Sequence, residues 1–270
     1  VESDHLAYYK DDLKLKEAFR EFAARTKGLV YLYGDSSETQ YLKDLPNIRT
    51  YGKAPNSNYQ IKNYQGKRFA SVFEIVSEGR VIGTFDLASP GFHNALNATV
   101  AVAVAVDLGL SIEKVKKGIS QFAGVARRFQ YRGEINGISF IDDYAHLPTE
   151  VESALAAAKE GKWNRVVVVF QPHRFTRTND LASAFSNSFQ DADEIIITGI
   201  YSAGEKAIPG VTGKLVADAV ASKRTDKKIR YCEHREDLIA LLQEILFEGD
   251  LCLTLGAGDL TNIADQLMEF

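Results

Sequence analysis

The sequence predicts an α/β protein in which a mostly parallel sheet occupies the second half of the chain. Two observations support this prediction. From residue 124 onward, short apolar stretches alternate with amphipathic ones, which is the pattern of strands connected by helices. Residues 166–169 and 195–197 are apolar without interruption, as parallel strands are when helices cover both faces of the sheet. We therefore expect residues 124–270 to form a doubly wound domain.

The chain is also long enough for a second unit. At 270 residues it exceeds the usual size of one domain, and Gly124 marks the predicted boundary, so residues 1–123 form the other unit. Apolar residues at helical spacing predict a first helix over residues 13–24. Short β-type stretches then predict a mixed sheet that ends in a hairpin, with strands at residues 28–33, 48–51, 59–64, 69–76 and 81–87.

Two helices close this first unit. Residues 94–108 are rich in alanine and valine and apolar almost all round, which predicts a helix packed on most sides. Residues 111–122 predict another helix, with Ser111 as its N-cap.

The second unit is expected to contain six strands and to resemble a dinucleotide-binding fold. Its strands are predicted near residues 130–132, 138–141, 165–170, 194–198, 229–232 and 251–255. Its helices are predicted near residues 149–159, 179–190, 212–222, 235–247 and 259–268. Ligands of such sheets bind at the carboxyl ends of the strands. The loops after residues 141, 170, 198 and 255 are therefore where chemistry is expected.

Composition excludes several classes of function. The formal charge of −4 gives no basic surface for a nucleic-acid backbone, so we expect no nucleic-acid partner. The apolar run at residues 98–106 is too short to cross a bilayer, and no signal-peptide pattern precedes it, so we expect no membrane partner and a cytoplasmic protein. Cys232 and Cys252 lie in apolar runs and are predicted to be core residues in a reducing compartment.

Reactive residues follow the strand that is predicted to end at Ile141. Asp142 and Asp143 lead into a helix start, where a carboxylate pair can hold ribose hydroxyls or a metal, or simply cap the turn. His146 and the helix N-terminus favour an anion. After Phe170, two arginines three residues apart, Arg174 and Arg177, either grip a phosphate or carboxylate or form a solvated basic turn.

Three further residues are candidates for ligand binding. Asn94 and Asn97 open the alanine-rich helix, and the Asn97 amide suits a purine edge because it offers both a donor and an acceptor, whereas Asn94 is also explained as a cap. Arg128 enters the second unit from the boundary and either reaches a ligand or forms a salt bridge between the units. No Gly-x-x-x-x-Gly-Lys-Ser/Thr phosphate-binding loop occurs in these residues.

Taken together, six strings spread over nearly the whole chain resemble the UDP-N-acetylmuramate:L-alanine ligases, in order and with fitting spacing. They are Pro90-Gly91-x-His93-Asn94-x-x-Asn97-Ala98, Gly124-Val125-x-Arg127-Arg128-Phe129, Asp142-Asp143-Tyr144-x-His146-x-Pro148-Thr149-Glu150, Gln171-Pro172-His173-Arg174-x-Thr176-Arg177-Thr178, Ser202-Ala203-Gly204-Glu205-x-x-Ile208-Pro209-Gly210 and Gly256-Ala257-Gly258-Asp259. One position departs from the family pattern, because Leu147 stands where members usually carry a second histidine.

The resemblance implies a three-domain architecture and an activity. Members have a UDP-binding domain, a central ATPase domain with a P-loop and a C-terminal domain shaped like a dinucleotide-binding fold. This chain is expected to begin late in the central domain, without the P-loop, and therefore to turn over ATP poorly by itself. The implied reaction phosphorylates the carboxylate of UDP-N-acetylmuramate with ATP and Mg²⁺, and the amino group of L-alanine then attacks the acyl phosphate.

The resemblance also assigns residues to that reaction. It implies that Asn94 and Asn97 meet the adenine, that Arg128 reaches the ATP phosphates, and that Asp143 holds the ribose with Tyr144 nearby. It implies that His146, Arg174 and Arg177 face the substrate and the transferring phosphoryl group, and that His5 binds a second Mg²⁺.

Two alternatives remain at this point. A murein peptide ligase joins a tripeptide to the same sugar nucleotide, and the residues do not separate the two amine substrates. A nucleotide-binding or partner-binding module without catalysis would keep the fold and lose the P-loop lysine.

Overall fold

The computed structural model describes residue 9, residues 11–224 and residues 226–268. These residues divide into two compact units. The first contains the described residues up to 65 together with Ser71–Leu87 and His93–Phe122, and the second contains Gly66–Ala70, Ala88–Phe92 and the residues from 123 onward. The predicted metal ligand His5 lies outside the described residues.

The first unit is built on a mixed five-stranded sheet, as predicted. Its strands, in the order β1-β2-β3-β4-β5, are β1 (Val30–Tyr33), β2 (Ile48–Gly52), β3 (Tyr59–Gly66), β4 (Ser71–Ser77) and β5 (Arg80–Leu87). Strands β1, β2 and β3 are parallel, whereas β4 and β5 form an antiparallel hairpin. The hairpin turns at Glu78 and Gly79, which both have positive φ, as a tight turn of this hand requires.

Three α-helices of this unit follow from local sequence. They are α1 (Asp12–Arg25), α2 (Phe92–Asp107) and α3 (Ile112–Ser120), and a 3₁₀ helix spans Ser37–Leu42. Helix α1 begins after Asp11, whose carboxylate accepts a hydrogen bond from the Lys14 backbone at 2.8 Å. Ser111 does occupy the N-cap position of α3, but its side chain makes no capping hydrogen bond.

The prediction that the alanine-rich helix is packed on most sides is confirmed for α2, because twelve of its sixteen residues are buried or half-buried. Its fully buried residues form one stripe, Ala95, Ala98, Thr99, Val102 and Ala103. Val104 is 37% exposed on another side. A nearly uniform apolar composition carries no information about which side is covered, and here the small residues supply the buried stripe.

The second unit contains the predicted six-stranded sheet. Its strands, in the order β10-β9-β8-β11-β7-β6, are β6 (Gln130–Ile135), β7 (Ile138–Asp143), β8 (Arg165–Phe170), β9 (Glu194–Thr198), β10 (Lys228–Cys232) and β11 (Asp250–Leu255). All neighbouring pairs are parallel except β6 and β7. The helices are α4 (Pro148–Glu160), α5 (Phe175–Leu181), α6 (Lys214–Ala221), α7 (Arg235–Ile245) and α8 (Ile263–Met268), with 3₁₀ helices at Ala182–Asn187 and Leu260–Asn262.

Helices cover both faces of this sheet, as the continuous apolar strands predicted. Along β8, Val166 and Val168 belong to a core that includes residues of α4 and α6, whereas Val167 and Val169 belong to a second core with residues of α7 and α8. Successive strand residues point to opposite faces, so a strand covered on both sides must be apolar at every position. This confirms the doubly wound α/β prediction.

Two local expectations in this unit are wrong. Strand and helix do not alternate at the start, because β6 and β7 form a hairpin that turns at Asn136 and Gly137, both with positive φ. An Asn-Gly pair is a strong hairpin signal, and it was available in the sequence. The helix predicted at residues 179–190 instead begins at Phe175 and changes to a 3₁₀ helix after Leu181.

The amino ends of the strands are joined by a buried network of charges. Arg165 at the start of β8 donates from Nε to Asp250 Oδ1 at 3.0 Å and lies 3.6 Å from Glu194 through NH1. Arg230 donates from Nε to Glu194 Oε1 at 2.7 Å. Asp250 is 2% exposed and Glu194 is 4% exposed, so these arginines compensate two carboxylates that water does not reach.

The cysteine prediction is confirmed in part, because both thiols are buried. Burial raises the pKa of the Cys252 thiol to about 12, which keeps it protonated and unreactive. None of the helices in the described part of the chain combines the length and the apolar composition that crossing a bilayer requires.

Candidate active site

Six of the predicted site residues lie in the second unit, around the carboxyl ends of its strands. Asp143 ends β7, Tyr144 and His146 follow it, Arg174 and Arg177 follow β8, and Arg128 lies two residues before β6. The two loops lie close together although β11 separates β7 from β8 in the sheet. The structure thus places these six residues at one edge of the sheet.

The two aspartates of this edge are both hydrogen-bonded inside the unit. Asp142 accepts from Thr254 Oγ1 at 2.8 Å and lies 3.4 Å from Arg127 Nε. Asp143 accepts from the Phe129 backbone at 2.7 Å and from the Ala145 backbone at 2.8 Å, one bond to each carboxylate oxygen. Both carboxylates hold the turn in place, and each Asp143 oxygen keeps a second lone pair for a ligand.

The Asp143 carboxylate gives this unit a specific pH dependence. Burial raises its pKa to about 6, in spite of the two backbone donors that favour the charged form. Because the folded-state pKa lies above the unfolded value of 3.8, the protonated group favours the folded state. This contribution is fully present below pH 3.8 and is lost as the pH rises through about 6.

We therefore expect the free energy of unfolding of the wild type, relative to Asp143→Asn, to fall by up to about 3 kcal/mol between pH 4 and pH 7. Urea denaturation at several pH values measures this difference. Asp180→Asn, at an exposed position of the same unit, is the control, and its free energy of unfolding should change with pH in the same way as that of the wild type. A pH-independent difference between the wild type and Asp143→Asn would contradict the assignment.

Arg127 is a structural residue that the sequence interpretation did not single out. Its NH2 group donates to the Gly256 and Gly258 carbonyls at 2.7 and 3.0 Å, and its guanidinium lies 4.8 Å from the Tyr144 ring centre. Its φ is +59°, a conformation that non-glycine residues adopt at a cost. Arg127 thereby fixes the loop after β11 against the loop after β7, and it leaves Arg128 as the neighbouring arginine with the more exposed side chain.

Four rings form a row across the carboxyl edge of the sheet. The ring centres of Tyr144 and His146 are 5.5 Å apart, those of His146 and His173 are 5.6 Å apart, and those of His173 and Tyr201 are 5.7 Å apart. The row crosses loops that follow three different strands. His173 and Tyr201 were not among the predicted site residues, although His173 lies inside, and Tyr201 directly before, one of the strings that carry the family resemblance.

The position of the proton on His173 follows from its neighbour. Arg177 NH1 lies 2.9 Å from His173 Nδ1, and a guanidinium can only donate, so Nδ1 accepts and Nε2 carries the proton. Burial, together with the smaller effects of the Arg177, His146 and Arg174 charges, lowers the pKa of His173 to about 4. His173 is therefore a neutral hydrogen-bond donor at physiological pH.

The loop after β8 is held by the loop after β9. The Arg174 backbone donates to the Tyr201 carbonyl at 2.8 Å, and Arg174 has φ +68° at the start of α5. Glu205 accepts from the Thr176 backbone at 3.0 Å and from Thr176 Oγ1 at 2.7 Å. Burial would raise the pKa of Glu205, but the Thr176 donors and the Arg174 charge hold it below its usual value. Arg174 and Arg177 therefore lie on a turn whose backbone is fixed by these hydrogen bonds.

The remaining predicted residues lie elsewhere. Asn94 and Asn97 are in the first unit, in the opening turns of α2, where Asn94 is half-buried and Asn97 is exposed. Because α2 begins at Phe92, Asn94 is its third residue and does not cap the helix. The described residues contain no group of three or more His, Cys, Asp or Glu that fits a metal ion, so the Mg²⁺ site stays a prediction.

Comparison with known proteins identifies two families of domains in the chain. Residues 1–105 match the Mur ligase middle domain, and residues 127–258 match the Mur ligase glutamate ligase domain. The UDP-N-acetylmuramate--L-alanine ligase of Myxococcus xanthus is 42% identical over 275 residues, which cover all of this chain and 58% of that protein. The chain thus spans little more than half the length of this curated relative.

Solved structures agree in fold. The crystal structure of a UDP-N-acetylmuramate-alanine ligase from Thermotoga maritima has a TM-score of 0.79 at 29% identity, over 99% of this chain and 57% of that one. A MurF ligase from the same organism, solved in complex with ADP, has a TM-score of 0.72 at 17% identity, over 100% of this chain and 59% of that one. With both family matches and a relative aligned along its whole length, the chain belongs to the Mur ligases and carries their middle and C-terminal ligase domains.

Proposed function

We propose that these residues form part of an ATP-dependent ligase that joins L-alanine to the carboxylate of UDP-N-acetylmuramate. The observation that carries the proposal is the cationic edge of the second unit, where Arg174, Arg177 and the neutral donor His173 follow one strand. An arginine side chain offers several hydrogen-bond donors and no acceptor, so it suits the oxygens of carboxylates and phosphoryl groups. The 42% identical relative bears the corresponding name, which supports this choice of substrates.

The proposed chemistry has two steps. A carboxylate oxygen of the sugar nucleotide attacks the γ-phosphorus of ATP, and ADP leaves. The amino group of L-alanine then attacks the acyl carbon, and inorganic phosphate leaves with the former carboxylate oxygen. A carboxylate must be activated in this way because oxide is not a leaving group at neutral pH. Mg²⁺, when bound, would neutralise charge on the phosphates.

Residues of the second unit are assigned to these steps by their chemistry. Arg174 and Arg177 would donate to the carboxylate and phosphoryl oxygens as charge transfers between them. The attacking amine must be uncharged and must lose a proton during the reaction, so a base with a lone pair is needed nearby, and a histidine nitrogen can serve as that base. We assign that role to His146.

Five residues are assigned to nucleotide binding. Asn94 and Asn97 would contact the adenine. Asp143 would bind the ribose, with Tyr144 beside it, and Arg128 would bind the phosphates. The ADP complex of the fold-related MurF ligase supports an adenine nucleotide as the ligand of this fold. His5 is proposed for a metal.

The test uses a fusion in which these 270 residues replace the matching segment of the Myxococcus xanthus relative. With ATP, UDP-N-acetylmuramate and L-alanine, we expect release of phosphate and formation of UDP-N-acetylmuramoyl-L-alanine at a rate within about 10-fold of the intact relative. The intact relative is the control. Product formed with a tripeptide and not with L-alanine would favour the peptide ligase, and nucleotide binding by a folded fusion without turnover would favour a non-catalytic module.

A further inference from the structure

We propose that Glu150 is a positioning residue of the ligase reaction, which fixes the proton of His146 on Nδ1 and orients Arg128. The proposal rests on the proposed function for its kinetic consequence. The contacts of Glu150 are present in the folded chain without any substrate, and one part of the test measures their effect on His146 directly.

Glu150 is the third residue of α4, and its carboxylate turns back over the start of the helix. Its Oε2 accepts from the His146 backbone at 2.9 Å and from the Leu147 backbone at 3.2 Å. These two donors precede the helix and have no partner inside it. Glu150 therefore holds the loop that carries His146 at a defined distance from α4.

The same oxygen also faces the imidazole of His146. Nδ1 lies 3.3 Å from Glu150 Oε2 and 3.0 Å from the Tyr144 carbonyl. Both neighbours can only accept a hydrogen bond, so Nδ1 must carry a proton. In the neutral ring Nε2 is then the nitrogen with the lone pair, and the carboxylate stabilises the positive charge that the ring gains when Nε2 takes up a proton.

The other carboxylate oxygen faces a second candidate residue. Glu150 Oε1 lies 3.9 Å from Arg128 NH1, and the Arg128 guanidinium lies 5.5 Å from the Tyr144 ring centre. His146 and Arg128 come from segments on either side of the β6–β7 hairpin, and Glu150 contacts both. One carboxylate thus connects the residue proposed for the amine with the residue proposed for the ATP phosphates.

A role in helix capping alone would explain the two backbone contacts but not the contacts with His146 and Arg128. The negative charge of Glu150 distinguishes a role in capping from a role in positioning His146 and Arg128. Glutamine at position 150 retains an acceptor oxygen for the two backbone donors, but it brings no negative charge to the imidazole or to the guanidinium. Alanine removes both functions.

In the active fusion, we expect Glu150→Gln to lower kcat by about 10-fold to 100-fold, the range known for loss of the carboxylate partner of a metal-ligating histidine, which orients the ring in the same way. The midpoint of thermal unfolding should stay within a few degrees of the wild type. Glu150→Ala should lower both kcat and the midpoint. Glu152→Gln, on the same helix and bonded to Ser188, is the matched control and should change neither.

A second readout needs neither ATP nor sugar nucleotide. Nitrogen NMR of the histidine rings in the 270-residue chain should show the neutral His146 ring with a protonated Nδ1 and a lone pair on Nε2, and Glu150→Gln should increase the share of the other tautomer. A protonated Nε2 in the wild type would overturn the proposal. So would a kcat for Glu150→Gln within twofold of the wild type. An inactive wild-type fusion with the expected tautomer would instead count against the proposed function alone.

Discussion

Replacing Arg177 with alanine is expected to lower kcat of the fusion enzyme by about 100-fold to 1,000-fold, the loss typical when one preorganised donor to a transition-state oxygen is removed. Two physical reasons support this size. The charge and the donors of Arg177 would no longer meet the developing negative charge. In addition, the contact between Arg177 NH1 and His173 Nδ1 would be lost, so the proton of His173 would no longer be confined to Nε2.

The substitution also has a signature that does not depend on activity. The charge of Arg177 is, after burial, the largest cause of the low pKa of His173. Arg177→Ala should therefore raise the pKa of His173, which titration of the ring by NMR would measure.

Two further variants make the test specific. Arg177→Lys should restore little activity, because an ammonium lacks the planar pair of donors. Lys214→Ala, which removes an exposed cation paired with Asp218 in the same unit, should leave kcat unchanged. A kcat for Arg177→Ala within threefold of the wild type would exclude Arg177 from the reaction.

The largest effect on stability is expected from Arg165→Met. Its guanidinium compensates Asp250 and shares Glu194 with Arg230, and both carboxylates are buried. Methionine would fill much of the space but leave Asp250 without a cation. We expect a loss of about 3–5 kcal/mol in the free energy of unfolding, the usual result when one partner of a buried ion pair is removed.

Urea denaturation followed by circular dichroism measures this loss. Adding Asp250→Asn to Arg165→Met should recover part of it, because the second change removes the uncompensated charge. Lys159→Met, which breaks an exposed pair with Asp191, is the control and should cost less than about 1 kcal/mol. A loss below 1 kcal/mol for Arg165→Met would show that water reaches the carboxylates.

The sequence predicted the elements of the second unit well because its strands have an unambiguous pattern. Uninterrupted valine and isoleucine in β8 and β9 can be accommodated only between two layers of helices. Prediction failed where local patterns were weak or were overlooked. Helix α2 is apolar nearly all round, so its periodicity could not identify the buried side, and the Asn136-Gly137 turn was overlooked.

The candidate site was predicted in its residue types but not in its connections. His146, Arg174 and Arg177 could be chosen because they follow strand ends, where ligands of such sheets bind. Arg127 and Glu150 could not be assigned in this way, and His173, which also follows a strand end, was not chosen. The role of Arg127 depends on contacts that exist only after folding, such as that with the Gly256 carbonyl, 129 positions further along the chain. The roles of His173 and Glu150 depend on which side-chain atoms face Arg177 and His146.

By itself, the sequence determined the fold class and the family, because each follows from local periodicity or from residues in fixed order. It also predicted the strand edge at which chemistry is expected. Only the tertiary structure decided the strand order, which inserts β11 between β7 and β8. That order brings the Gly256 turn against Arg127, and the folded loops set the His146 and His173 rings 5.6 Å apart. The positions of the protons on these rings depend on neighbours only two or four positions away, Tyr144 and Glu150 for His146 and Arg177 for His173. Local sequence patterns still do not encode them, because the fold sets the distances between the side-chain atoms.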